Sequence, residues 1–167
     1  MQEETGNQTA KVIPFERDVM HYYSYSVVLQ EVPDEISICF NIAGCPMGCA
    51  DCSWKNSLLE PLTPKPLTEE VFIDILERNG SLASCVLFMG GEWRKEELLN
   101  LLKVSKTKGY KTCLYSGKKD LHMDIIEQLD YLKLGPYKKE KGGLDSKETN
   151  QRFFKLSSLN HVFVRDN

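Results

Sequence analysis

The sequence predicts an α/β protein, either a partial (β/α) barrel or an open, curved, mostly parallel sheet with crossover helices. Three observations carry this expectation. Short β-prone runs alternate with helical segments from Thr68 onward, and glycines follow the strand ends. No internal repeat and no second-domain break interrupts the pattern. The 167 residues suffice for one domain with a proper core and are too few for eight strand–helix units.

The elements follow in order. Residues 1–20 are polar and aperiodic and are expected to form a flexible leader, with residues 21–167 a single domain. Tyr22 to Val32 is rich in aromatic and β-branched residues, and Glu35 to Ile42 alternates apolar with polar. Two strands are expected there, joined by a turn at Pro33-Asp34. Leu58 to Leu67 contains three prolines and reads as a loop. Thr68 is a suitable N-cap for a helix over Glu69 to Asn79, with Val71, Phe72, Ile75 and Leu76 on one face and Gly80 at its end. Cys85 to Met89 reads as a strand closed by Gly90-Gly91. Lys95 to Lys108 reads as a helix with Leu98, Leu99, Leu101 and Leu102 inward, stopped by Gly109. A strand over Tyr110 to Tyr115, a helix over Leu121 to Leu129 and a strand over Tyr131 to Leu134 complete the alternation. In parallel sheets ligands gather at the C-terminal ends of the strands. The segment after Ile42, Gly90-Gly91, Ser116-Gly117 and Gly135-Pro136 would share that edge.

Composition narrows the function classes. The hydrophobic fraction of 41% and charged fraction of 27% fit a soluble globular protein, and no segment approaches the roughly 18 unbroken apolar residues of a membrane span. The first twenty residues lack the apolar centre of a secretory signal, so the cytosol is the expected compartment and no membrane partner is expected. A net charge of −3 argues against bulk nucleic-acid binding. Lys138, Lys139 and Lys141 form a local basic cluster, a solvated loop or a patch for a protein partner.

Six cysteines without an export signal are expected to be thiols. Cys39, Cys85 and Cys113 sit inside β-prone runs, as small buried hydrophobes do. Cys45, Cys49 and Cys52 instead fall within eight residues among Gly44, Pro46 and Gly48, with the spacing C-x3-C-x2-C. Three thiolates hold three irons of a [4Fe–4S] cubane, which ordinarily takes four cysteines. No fourth lies nearby, so one iron is expected to stay open to a substrate. Zinc is the alternative metal, but it favours paired C-x2-C spacings with a second Cys or His pair. His21 and His122 do not sit at such a spacing, and His161 is distant.

The cysteine motif after a strand, followed by Gly90-Gly91-Glu92 after a later strand, resembles the radical S-adenosylmethionine enzymes. The resemblance implies that S-adenosylmethionine chelates the open iron and is cleaved by one electron from the cluster. The products are methionine and a 5′-deoxyadenosyl radical that abstracts hydrogen. It implies cofactor contacts at Asp51, Ser53, Gly90, Gly91, Glu92 and Ser116, with Met89 to Glu92 meeting the methionine end and Glu92 accepting from its ammonium group. No catalytic residue beyond the cluster ligands is implied. Asp51 stands where many members carry an aromatic residue, Trp93 where a proline is common, and Leu134 where related activating proteins have an acidic residue.

The short chain, Tyr115-Ser116-Gly117 and Asn150-Gln151-Arg152 resemble the activating proteins of anaerobic ribonucleotide reductase, glycyl radical enzyme activases. The resemblance covers roughly Tyr23 to Phe154. It implies that the large reductase subunit is the protein substrate, through a backbone glycine, and that flavodoxin or ferredoxin supplies the electron. Another small radical S-adenosylmethionine enzyme, or a non-catalytic iron–sulfur protein, is the competing reading.

Overall fold

A computed structural model describes residues 19–47 and 63–156. Their strands are β1 (His21–Val28), β2 (Ser37–Ile42), β3 (Lys65–Pro66), β4 (Cys85–Met89), β5 (Lys111–Ser116), β6 (Tyr131–Leu134) and β7 (Arg152–Lys155). The helices are α1 (Glu69–Asn79), α2 (Lys95–Thr107) and the short α3 (Met123–Ile126). The strands form one open sheet in the order β3-β1-β2-β4-β5-β6-β7. Its centre is parallel: β2 pairs with β4, β4 with β5 and β5 with β6. Both margins are antiparallel, through β1 with β2 and β3 on one side and β6 with β7 on the other. The expected α/β class and open sheet hold, with the parallel portion confined to the middle. The sheet is not closed into a barrel.

Local chemistry explains the helices. The Thr68 hydroxyl accepts from the Val71 amide at 3.3 Å, and Glu69 and Glu70 place negative charge on the first turn of α1. Phe72, Ile75 and Leu76 of α1 and Leu98, Leu101 and Leu102 of α2 are buried against Ile38, Phe40, Val86, Phe88 and Leu114. Phe40, Phe72 and Phe88 lie at ring separations of 5.1 to 5.8 Å. Truncating such a fully buried ring costs about 3–5 kcal/mol. The helical stretch expected over Leu121 to Leu129 contracts to α3. Beyond it, Gln128 and Leu129 bond three residues back to Ile125 and Ile126, a tighter turn that still buries Leu129.

The opposite face carries a smaller cluster of Cys39, Cys85, Leu87, Cys113, Tyr115 and Tyr131, closed by Val32. The three cysteines are buried and free, as expected. Burial pushes the Cys39 and Cys85 thiols up to about 12, and Cys113 well above its ordinary value. The Tyr115 hydroxyl donates to the Glu31 carbonyl and fastens the β1–β2 connection over this cluster. The turn at Pro33-Asp34 forms as expected, with Asp34 at φ +63° and the Glu35 amide bonded to the Val32 carbonyl.

Several boundaries differ from the sequence-based expectation: β2 starts at Ser37, β5 spans Lys111–Ser116 and α2 ends at Thr107, each within two residues of the expected bound. β1 ends at Val28 and does not reach Val32. β3 lies in the proline-rich stretch read as a loop, and β7 was not anticipated. Met20, placed in the leader, is 1% exposed. Its amide donates to Glu97 on α2 and its carbonyl accepts from Leu67, so the folded chain already includes it. Residues 1–18 lie outside the described residues. No helix among the described residues is long and apolar enough to cross a membrane.

Candidate functional site

Parallel register decides which loops meet. Asn41 pairs with Met89, Met89 with Tyr115, and Ser116 with Leu134. The chain therefore leaves β2, β4, β5 and β6 on the same edge of the sheet. Ala43 to Met47, Gly90-Gly91-Glu92, Ser116-Gly117 and Gly135-Pro136 all emerge there. The expected convergence of these segments is present.

Hydrogen bonds tie the edge together. The Gly90 amide donates to the Tyr115 carbonyl at 2.9 Å, and the Gly135 amide to the Ser116 carbonyl at 3.0 Å. The Ser116 hydroxyl donates to Glu92 Oε1 at 2.7 Å and accepts from the Lys118 amide at 3.1 Å. Glu92 is 7% exposed, and its Oε2 is buried without a hydrogen-bond partner among the described residues. A buried carboxylate oxygen in that condition calls for a donor. The Glu92 side chain borders an open groove of about 430 Å³, shared with Lys118, Asp120, His122 and apolar side chains around the start of α3.

Cys45 is exposed, three residues beyond the end of β2. The segment bearing it leans across the edge: a Cβ on Gly117 would lie 2.9 Å from the Met47 sulfur. Trp93 packs between the strand ends, its ring against Gly90 and its indole nitrogen 3.8 Å from the Cβ position of Gly44. The φ of Gly90, +86°, is one that residues with side chains rarely adopt. Neither Met47 nor Trp93 was assigned a seating role from sequence. The only signal for the first was the glycine after Ser116, which leaves room for the thioether.

Asn150 and Gln151 reach the same edge from β7. Asn150 Nδ2 donates to the Pro136 carbonyl at 2.8 Å and Gln151 Nε2 to the Gly135 carbonyl at 3.3 Å. Gly135 has φ +109°, and a Cβ there would meet the Asn150 carbonyl oxygen at 2.8 Å. Asn150 and Gln151 thus hold the end of β6. Nearby on the helix-free face, Lys133 Nζ lies 4.0 Å over the Tyr115 ring, and burial holds its ammonium below the ordinary lysine value.

Of the expected site residues, the structure brings Gly90, Gly91, Glu92 and Ser116 to one edge together with Cys45. Cys49, Cys52, Asp51 and Ser53 lie outside the described residues. Among the described residues, no group of three or more His, Cys, Asp or Glu side chains gathers as a metal-binding set. Metal binding requires the thiolate, so the high pKa values of Cys39, Cys85 and Cys113 make them poor ligands. Compared with protein-family models, with curated proteins and with solved structures, the chain gives no match.

Proposed function

We propose that this chain is a radical S-adenosylmethionine activase. In this reading Cys45, Cys49 and Cys52 hold a [4Fe–4S] cluster, and the partner is the large subunit of anaerobic ribonucleotide reductase. The observation that carries the reading is the shared strand edge: the chain bearing Cys45 leaves β2 on the same edge as a buried Glu92 whose Oε2 has no donor among the described residues. The open sheet with its helices on one face is compatible with a partial (β/α) barrel.

The described residues are compatible with the group. Cys45 is an exposed thiol at the site, whereas Cys39, Cys85 and Cys113 are buried in the sheet. Glu92 Oε2 would accept from the α-ammonium of S-adenosylmethionine, a charge-assisted bond. Gly90 and Gly91, at φ +86° and +112°, form the turn that carries the chain from β4 to Glu92. When bound, the cluster and S-adenosylmethionine supply the one-electron cleavage whose radical product abstracts hydrogen. The chain's own part is to hold the ammonium, orient the sulfonium and keep the edge open to a glycine-bearing loop. The electron comes from a carrier such as flavodoxin or ferredoxin.

The test is anaerobic mixing of the iron- and sulfide-loaded protein, S-adenosylmethionine, dithionite and the candidate reductase subunit, followed by electron paramagnetic resonance. A glycyl radical doublet on the reductase is the expected result. Formation of 5′-deoxyadenosine without that doublet would move the chain to another radical S-adenosylmethionine activity. A loaded protein that forms no 5′-deoxyadenosine would refute the proposal.

A further inference from the structure

We infer that Ser116 is a positioning residue that acts through Glu92 and does not itself donate to the ligand. This rests on the proposed S-adenosylmethionine site. A serine hydroxyl has one proton to donate. In Ser116 that proton goes to Glu92 Oε1 at 2.7 Å, and the oxygen accepts from the Lys118 amide at 3.1 Å. The proton and one of the two lone pairs of the hydroxyl are therefore in use inside the protein. Ser116 is 4% exposed, so solvent does not compete for either bond.

The backbone fixes where that hydroxyl stands. The Ser116 carbonyl accepts from the Gly135 amide at 3.0 Å, while the preceding Tyr115 carbonyl accepts from the Gly90 amide at 2.9 Å. The ends of β4, β5 and β6 are thus joined around this residue. The consequence is an asymmetric carboxylate: Glu92 Oε1 is held by Ser116, and Oε2 is buried with no partner among the described residues. A rotation of the carboxylate that offered Oε1 to a ligand would break the Ser116 bond. Ser116 therefore selects which oxygen meets the ammonium group and keeps it pointed there. A donation from Ser116 to the ligand would require it to release Glu92.

The two roles differ in additivity, because residues acting through one contact show non-additive losses. The experiment measures S-adenosylmethionine binding to the anaerobically loaded, oxidised protein by calorimetry, without turnover. The proteins are wild type, Ser116→Ala, Glu92→Gln and the double variant. Ser116→Ala alone is expected to weaken binding about tenfold, the scale of a lost hydrogen bond to a charged group. In the Glu92→Gln background the same change is expected to shift binding by less than about twofold. An S-adenosylmethionine analogue lacking the α-amino group is expected to bind wild type and Ser116→Ala alike. If Ser116→Ala does not fold, Ser116→Cys repeats the cycle with similar volume and a much weaker donor. Losses that add, or equal weakening of the deaminated analogue, would overturn the inference while leaving the site reading standing. No binding of S-adenosylmethionine by fully loaded wild type would overturn both.

Discussion

Gly90→Ala probes whether the end of β4 and the Trp93 ring form one rigid seat beneath the cysteine segment. Gly90 sits at φ +86°, and left-handed backbone costs a residue with a Cβ about 1–2 kcal/mol. The added Cβ would also lie 2.6 Å from Cη2 and 3.0 Å from Cζ3 of Trp93, an aromatic ring that must move as a unit. Overpacking of that kind costs about 1–3 kcal/mol. Together the loss is about 2–5 kcal/mol, a drop in Tm of roughly 5–15 °C for a domain of this size. Urea denaturation followed by far-ultraviolet circular dichroism measures it. Trp93→Ala removes the obstacle, so the double variant is expected to recover the steric share and retain the backbone share. Its loss should fall about 1–3 kcal/mol short of the sum of the single losses. A Gly90→Ala variant within about 0.5 kcal/mol of wild type, or strictly additive losses, would refute the geometry.

The remaining predictions concern charge, thiols and the β6 clasp. Glu35 is 5% exposed and accepts from Lys111, Ser84 and Tyr131; burial opposes its charge, yet these bonds outweigh it and hold the pKa below the ordinary value of 4.5. A lowered folded value means that its stabilisation is present above the unfolded pKa and lost as pH falls through the folded one. Glu35→Gln should therefore flatten the stability profile below about pH 5, as read by urea midpoints across pH; an unchanged profile would contradict this. Burial keeps Cys39 and Cys85 protonated and out of reach, so brief treatment of the native protein with iodoacetamide at pH 8 should leave them unmodified by peptide mass while Cys45 reacts. Asn150→Ala should lose about 1 kcal/mol for its bond to Pro136. Gly135→Ala should lose more, since its Cβ would meet a backbone oxygen at 2.8 Å, and urea midpoints should rank them in that order.

The legible parts of the fold are those specified by local patterning. β4 and β6 match their expected bounds because each short β-prone run is ended by a glycine, Gly90 and Gly135, and α1 matches because Thr68 supplies a side-chain cap. β7 was hidden because Arg-Phe-Phe-Lys becomes a strand only by pairing with β6 from twenty residues away in sequence. β3 was hidden by Pro66, which an edge strand tolerates but a residue pattern reads as a break. In the site, the convergence of the strand ends followed from the parallel alternation alone. The destination of the Ser116 proton did not, because it depends on Glu92 being folded back into the same buried corner. The same holds for Asn150 and Gln151: their residue types are visible in the sequence, but their bonds to Pro136 and Gly135 arise only when β7 closes on β6.

The central claim is that Cys45, Cys49 and Cys52 hold a cluster that drives cleavage of S-adenosylmethionine. Its most direct test is the 5′-deoxyadenosine formed per loaded cluster after anaerobic reduction, in wild type and in single alanine variants of all six cysteines. Product is expected from wild type and from Cys39→Ala, Cys85→Ala and Cys113→Ala, with loss of both the cluster absorbance near 400 nm and the product in Cys45→Ala, Cys49→Ala and Cys52→Ala. A Cys49→Ala protein that keeps a normal cubane and still forms 5′-deoxyadenosine would contradict it.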